Sequence, residues 1–280
     1  MTYKMGNMID TKGILFKAYS RDDMEYLELR KFFESKASTL FEHEIKKQRE
    51  KGEVEKEAFW ASGNRNNYGC FDYNGRHICF LASNSFIGMM KNHYMQTFTR
   101  FPDSFGTNDA ADIVDALYNN NGFERTGWNR QKYIDIALTG DICCYLVQRK
   151  EGNFDDRVLR IDLFRLFESN KDGKNVYEFT GGLFHVLKHF QYNGKSLSTG
   201  NGYDVRSIDE VVLLCVLAFY QPEIPDGEDN AIMYLPISEE KQLKVVFYHE
   251  KESGVYFIDT LYVKNQKNLE ERNTPTNERY

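Results

Sequence analysis

The chain has no basic excess. Its 36 lysines and arginines stand against 42 aspartates and glutamates, for a formal charge of -6. Proteins that hold nucleic acid regardless of sequence usually carry a strong positive field, so that class is disfavoured, although a local basic surface is not. Proline is scarce, with 5 in 280 residues, and the chain is 41% hydrophobic and 15% aromatic. That composition argues against collagen-like or disordered character, and the length suits one large domain or two ordinary ones. The 5 cysteines are odd in number and include no CxxC pair, which argues against a disulfide framework or a structural zinc site. Cys70, Cys79, Cys143, Cys144 and Cys215 read as free thiols of a reducing compartment. No apolar run reaches the ~18 residues of a membrane span. The opening MTYKMGNMID has no apolar h-region after it, so no secretory signal is expected and a cytoplasmic location is.

What is present is periodic. Ser20, followed by Asp22 and Asp23, starts a helical pattern with Leu29, Phe33, Leu40 and Phe41 as its apolar positions, and 46–56 reads as a solvated charged extension. YGCFDY-NG-RHICFL predicts a hairpin, because both central residues of a type I′ turn need positive φ and Asn74-Gly75 supplies them. Helices are expected over 85–98, 108–118 and 130–138, then a buried strand in ICCYLVQR. Residues 157–168 lean towards a strand, NKDGKN towards a turn and VYEF towards a strand. Helices are expected over 181–191 and 207–220, the second with a Ser207-x-x-Glu210 capping box and stopped by Pro222 and Pro225. AIMYLPI reads as a strand, and LKVVFYHE and VYFIDTLYV as a hairpin across KESG. The expected fold is α+β: a helix-rich N-terminal region with a small β-hairpin over 1–150, then helices packed on an antiparallel β-sheet over 151–263. Residues 264–280 read as a disordered tail.

Two segments could carry chemistry. In FTGGLFHVLKHF, a helical wheel gathers Leu183, Val186, Leu187 and Phe190 into an apolar stripe. His185 and His189 fall off that stripe, one turn apart and beside Lys188. This leaves open a solvated surface pair, a pair for acid–base chemistry, or two metal ligands in need of a third. Gly181-Gly182 suits either a phosphate seat at a helix start or close packing on a strand. In VYFIDTLYV, strict alternation puts Tyr256, Ile258, Thr260 and Tyr262 on one face. His43, His77, His93 and His249 are weaker candidates, and there is no Walker loop, HExxH or GxSxG.

GGLFHVLKHF, the following Ser/Thr/Gly loop, a capped helix and the final YFIDTLYV together resemble prophage and polymorphic-toxin ribonucleases of the barnase/EndoU/colicin/RelE-like superfamily. The resemblance covers residues 154–263. It implies a metal-independent RNA endonuclease, without cofactor, acting as a toxin or mobile-element effector on an RNA substrate, with an immunity protein as a partner. It assigns catalysis to His185, His189 and Thr260. Lys188 and Arg206 are then expected to meet phosphate, and Tyr256 and Tyr262 to stack bases. The alternative is a non-enzymatic phage or mobile-element protein that binds a host protein, which the acidic charge and the long charged helix also suit.

Overall fold

The computed structural model describes residues 14–40, 66–83, 129–139, 144–150, 153–192, 197–199, 203–205 and 208–265. Among these, 51% lie in strands and 24% in helices. The expected helix-rich N-terminal region is therefore overturned. The 74–75 hairpin is not a small satellite but part of the largest sheet among the described residues.

The strands are β1 (Lys17–Ala18), β2 (Asn66–Tyr73), β3 (Arg76–Ser83), β4 (Cys144–Lys150), β5 (Asn153–Ile161), β6 (Leu166–Lys171), β7 (Lys174–Phe179), β8 (Phe190–Tyr192), β9 (Leu197–Thr199), β10 (Asp204–Val205), β11 (Glu223–Asp226), β12 (Asn230–Pro236), β13 (Lys241–Glu250) and β14 (Val255–Asn265). The helices are α1 (Met24–Ser35), α2 (Ala37–Leu40), α3 (Arg130–Thr139), α4 (Leu183–Leu187) and α5 (Ile208–Phe219). Nine strands form one mixed sheet in the order β1-β2-β3-β4-β5-β14-β13-β12-β11. β8, β9 and β10 make a second sheet, and β6 and β7 a separate hairpin.

The large sheet is covered on both faces, and the pattern of β4 shows why. Cys144 and Leu146 join one apolar cluster and Tyr145 and Val147 the other, so a continuous apolar run is what a doubly buried strand needs. The larger cluster holds α5, α4 and the start of α3. From Val211 to Phe219 every residue of α5 is buried, so this helix is apolar all round rather than striped. The other face is covered by α1 and α2 through Leu29, Phe33 and Leu40. The long helix expected from Ser20 begins later and is broken at Lys36, and Asp23 stands at its N-cap, with its carboxylate accepting the Ser20 amide at 2.7 Å. The turns fall where expected. Asn74 and Gly75 have φ of 49° and 73°, and Asp172 and Gly173, inside NKDGKN, have 54° and 73°.

Residues 157–168 divide between β5 and β6 with a bend between them. Lys264 and Asn265 belong to β14. The expected helices over 85–98 and 108–118, the charged extension, Ser207, Arg206, His43, His93 and the rest of the tail lie outside the described residues.

The boundary expected at residue 150 falls in the hairpin between β4 and β5, inside the nine-stranded sheet. A 151–263 fragment would strip β5 of β4 along the register Leu146–Leu159 and Cys144–Ile161 and uncover buried residues on both faces. Such an apolar edge invites association. The fragment is expected to aggregate, or to unfold without a cooperative transition, in size-exclusion chromatography and thermal circular dichroism, whereas the full chain unfolds cooperatively.

Candidate functional site

The site exists because β5 and β14 stay together only briefly. Their parallel pairing runs from Val158–Val255 to Arg160–Phe257. Beyond it β5 turns away, and the segment after Phe179 returns to occupy the vacated edge of β14. Gly182 donates its amide to the Ile258 carbonyl at 3.0 Å, and Leu183 and Phe184 donate theirs to Asp162 and Leu163 at 2.8 and 3.1 Å. The first amides of α4 are thus spent on the backbone, so Gly181-Gly182 serves close packing and not a phosphate seat. A Cβ on Gly181 would lie 2.9 Å from Asp259 Oδ1 and 3.0 Å from the Asp259 Cα. Gly182 has φ of 97°, and a Cβ there would sit 2.8 Å from the Leu163 carbonyl oxygen. Both positions admit only glycine.

The helix expected over 181–191 is shorter, because Phe190 enters β8. The wheel still describes its faces. Leu183, Val186, Leu187 and Phe190 are buried, while His185, Lys188 and His189 are half-buried. The histidine rings lie 6.2 Å apart at 70°. His189 Nε2 is 3.2 Å from Thr260 Oγ1, in a hydrogen bond whose donor depends on the tautomer, and the Tyr262 ring lies 4.9 Å from that of His189.

The alternation read along β14 fails at one residue. β13 is regular, so Lys244, Val246 and Tyr248 share a face, and their partners are Tyr262, Thr260 and Phe257. The register shifts opposite Val246 and Phe247, which leaves Asp259 as a bulge. Thr260 and Tyr262 therefore face the histidines, but Tyr256 and Ile258 lie on the opposite face with α5. Tyr256 stacks on His249 at 4.0 Å, and its hydroxyl donates to Glu223 at 2.8 Å. It stands apart from the cluster, and so does His249. Arg206 lies outside the described residues. Thr260 is only 5% exposed, so its hydroxyl holds the His189 ring in place rather than facing solvent.

Burial, and then the nearby Lys188 ammonium, pushes both imidazoles down to about 4, and His189 adds to the effect on His185. Both rings are neutral at pH 7. Burial also raises the carboxyl of Asp259, against the pull of Arg165 and Lys188. Among the described residues no group of three or more His, Cys, Asp or Glu side chains is placed to hold a metal ion.

One residue that sequence reading passed over is Arg165. Its guanidinium lies 3.9 Å from the centre of the Tyr248 ring and 5.1 Å from that of Phe257, on the face that carries Thr260. The only signal for it is an arginine in a strand-like run, RVLRIDLFRLFE, which on its own points nowhere.

No protein-family model, no curated protein and no solved structure matches this chain. The ribonuclease resemblance rests on the quoted residues alone.

Two outcomes follow from this geometry. Gly182→Ala should lower stability by about 2–4 kcal/mol, since it combines positive φ with a backbone clash, and chemical denaturation measures this. The histidines set a pH dependence. With folded values of about 4 against an ordinary 6.5, the unfolded chain binds more protons between those limits. Stability should therefore be complete above pH 6.5, fall as the pH drops towards 4, and level off below it. His189→Gln should flatten part of that slope in denaturation midpoints taken at several pH values, and the imidazole resonances of His185 and His189 should titrate near 4 in the wild type.

Proposed function

We propose that the protein is an RNA endonuclease that works without metal and acts as a toxin or mobile-element effector. The observation that carries this reading is the contact between His189 and Thr260, beside a second imidazole, a lysine and an exposed tyrosine. RNA self-cleavage needs little else: a base for the 2′-hydroxyl, an acid for the leaving oxygen and positive charge near the phosphoryl oxygens.

In this reading one neutral imidazole takes the 2′-hydroxyl proton. The 2′-oxygen attacks the adjacent phosphorus, the bond from phosphorus to the 5′-oxygen breaks, and that oxygen receives a proton from the other imidazole. The products are a 2′,3′-cyclic phosphate and a 5′-hydroxyl. Lys188 stabilises charge on the phosphoryl oxygens, Tyr262 offers a stacking face, and Thr260 positions His189. The phosphodiester brings negative charge next to both rings and raises them towards their ordinary range. That rise is what lets one of the rings carry a proton.

The test is incubation of the full chain with end-labelled RNA in EDTA across pH 4 to 8. Cyclic-phosphate ends are expected, with kcat/KM highest on the acid side near pH 4, because that ratio reports the free protein. His185→Ala and His189→Ala should each lose about 100- to 10,000-fold. Thr260→Val should lose less and shift the pH profile, as befits a positioning residue. RNA left intact at every pH overturns the reading. The depressed imidazoles and the sealed Thr260 hydroxyl would then favour the second reading, a protein that binds a host protein without catalysis.

A further inference from the structure

A cavity of about 240 Å³ opens beside the histidine cluster, between the end of α2, the bend after β5, β6 and the paired residues Tyr248 and Phe257. Its two arginines differ. Arg160 is committed: its Nε donates to Asp162 at 2.7 Å, and its Nη1 donates to the carbonyls of Leu40 and Thr39 at 2.5 and 3.3 Å. Arg165 is not. Its guanidinium carbon lies over the rings of Tyr248 and Phe257, 3.9 and 5.1 Å from their centres, and the group makes no hydrogen bond or ion pair with the described residues. A stacked guanidinium is held rigid and keeps its N–H edge for a ligand, and that edge matches an oxyanion.

The rest of the lining narrows the ligand. Phe167 is 55% exposed and offers an open aromatic face. Glu168 and Glu250 also line the cavity and can accept hydrogen bonds, and Glu250 is kept ionised by donors from Ser253 and the Glu252 amide. Asp162 is neutralised by Arg160. Inorganic phosphate alone, with no sugar or base donors to offer Glu168 and Glu250, would meet these carboxylates unfavourably. A ligand with one anionic end, hydroxyl and amino donors, and a flat ring suits all the groups at once.

The cavity also adjoins the site already described. Arg165 donates its amide to the Gly181 carbonyl at 3.2 Å, and Gly181 packs on Asp259, next to Thr260. Tyr248–Phe257 and Val246–Thr260 are neighbouring pairs on one face of the sheet.

We propose that this cavity is a nucleotide subsite, in which Arg165 grips the phosphate, Phe167 stacks the base, and Glu168 and Glu250 accept from sugar hydroxyls or base amino groups. As part of an RNA-binding surface it rests on the ribonuclease reading. It seats the nucleotide next to the one whose phosphate lies between the histidines.

The experiment is calorimetric titration of the full chain with adenosine 5′-monophosphate, with adenosine and inorganic phosphate as separate probes. The monophosphate should bind at least tenfold more tightly than either part. Arg165→Gln should weaken it at least tenfold, and Phe167→Ala, an exposed change that leaves the core alone, about tenfold, as loss of one base stack does. Wild-type protein that ignores the monophosphate, or that binds adenosine equally well, overturns the proposal. If Arg165→Gln does not fold, Phe167→Ala decides. Nucleotide bound without RNA cleavage would sink the ribonuclease reading and leave the subsite standing. RNA cleaved equally by wild type and Phe167→Ala, without monophosphate binding, would sink the subsite alone.

Discussion

Two antiparallel halves of the large sheet are joined by a parallel pairing only three residues long, between β5 and β14. Both strands could not continue side by side, because β5 ends at Ile161 while β14 runs on to Asn265. The unpaired edge of β14 must be satisfied, since buried backbone donors and acceptors without partners are costly. The chain meets that demand with Gly181 and Gly182, the two residues that can come close enough. Everything at the candidate site follows from this repair. The repair sets α4 beside β14, turns the off-stripe histidines towards Thr260, and brings Arg165 over Tyr248.

The same divergence explains the buried ion pair at its mouth. Arg160 and Asp162 flank the last residue of β5, with side chains 6% and 8% exposed. Arg160 also caps the end of α2 through two carbonyls and lies between the rings of Tyr145 and Phe257. An apolar pair of the same shape could be as stable, but it would tie nothing to anything. What the charges add is direction. They fix α2, the end of β5 and the start of the crossing segment to one another, and they leave Arg165, three residues beyond Asp162, to lie on the aromatic face.

Much of this was legible from residues. Asn74-Gly75, Asp172-Gly173, the apolar run of α5 and the stripe of Leu183, Val186, Leu187 and Phe190 are local patterns, and local patterns survive folding. The fold class was not legible. ICCYLVQR shows that a strand is buried on both faces, but not that it pairs with the distant 74–75 hairpin on one side and β5 on the other. Strand order is a non-local property with no periodic signature. The face of Tyr256 was lost for a smaller reason. A bulge adds one residue to one strand, and nothing in VYFIDTLYV distinguishes Asp259 as the extra one. Thr260 and Tyr262 lie beyond the bulge and Tyr256 before it, so the same strand presents them to opposite faces.

The acidic net charge at first weighs against any RNA partner. Charge acts locally, however, since physiological salt screens exposed groups over about 8 Å. Lys188 acts directly on both imidazoles, and Lys244 and Arg165 lie on the sheet face that carries Thr260, whatever the sum over the chain. The imidazoles themselves change the balance. They are neutral because burial and a lysine make protonation costly, and in the proposed reaction the phosphodiester would offset that cost by supplying an anion. Proton uptake and anion binding are then one coupled event. In that reading the site takes up a proton together with the anion, so its net charge barely changes on filling, and holding a phosphodiester would not require a permanently basic surface.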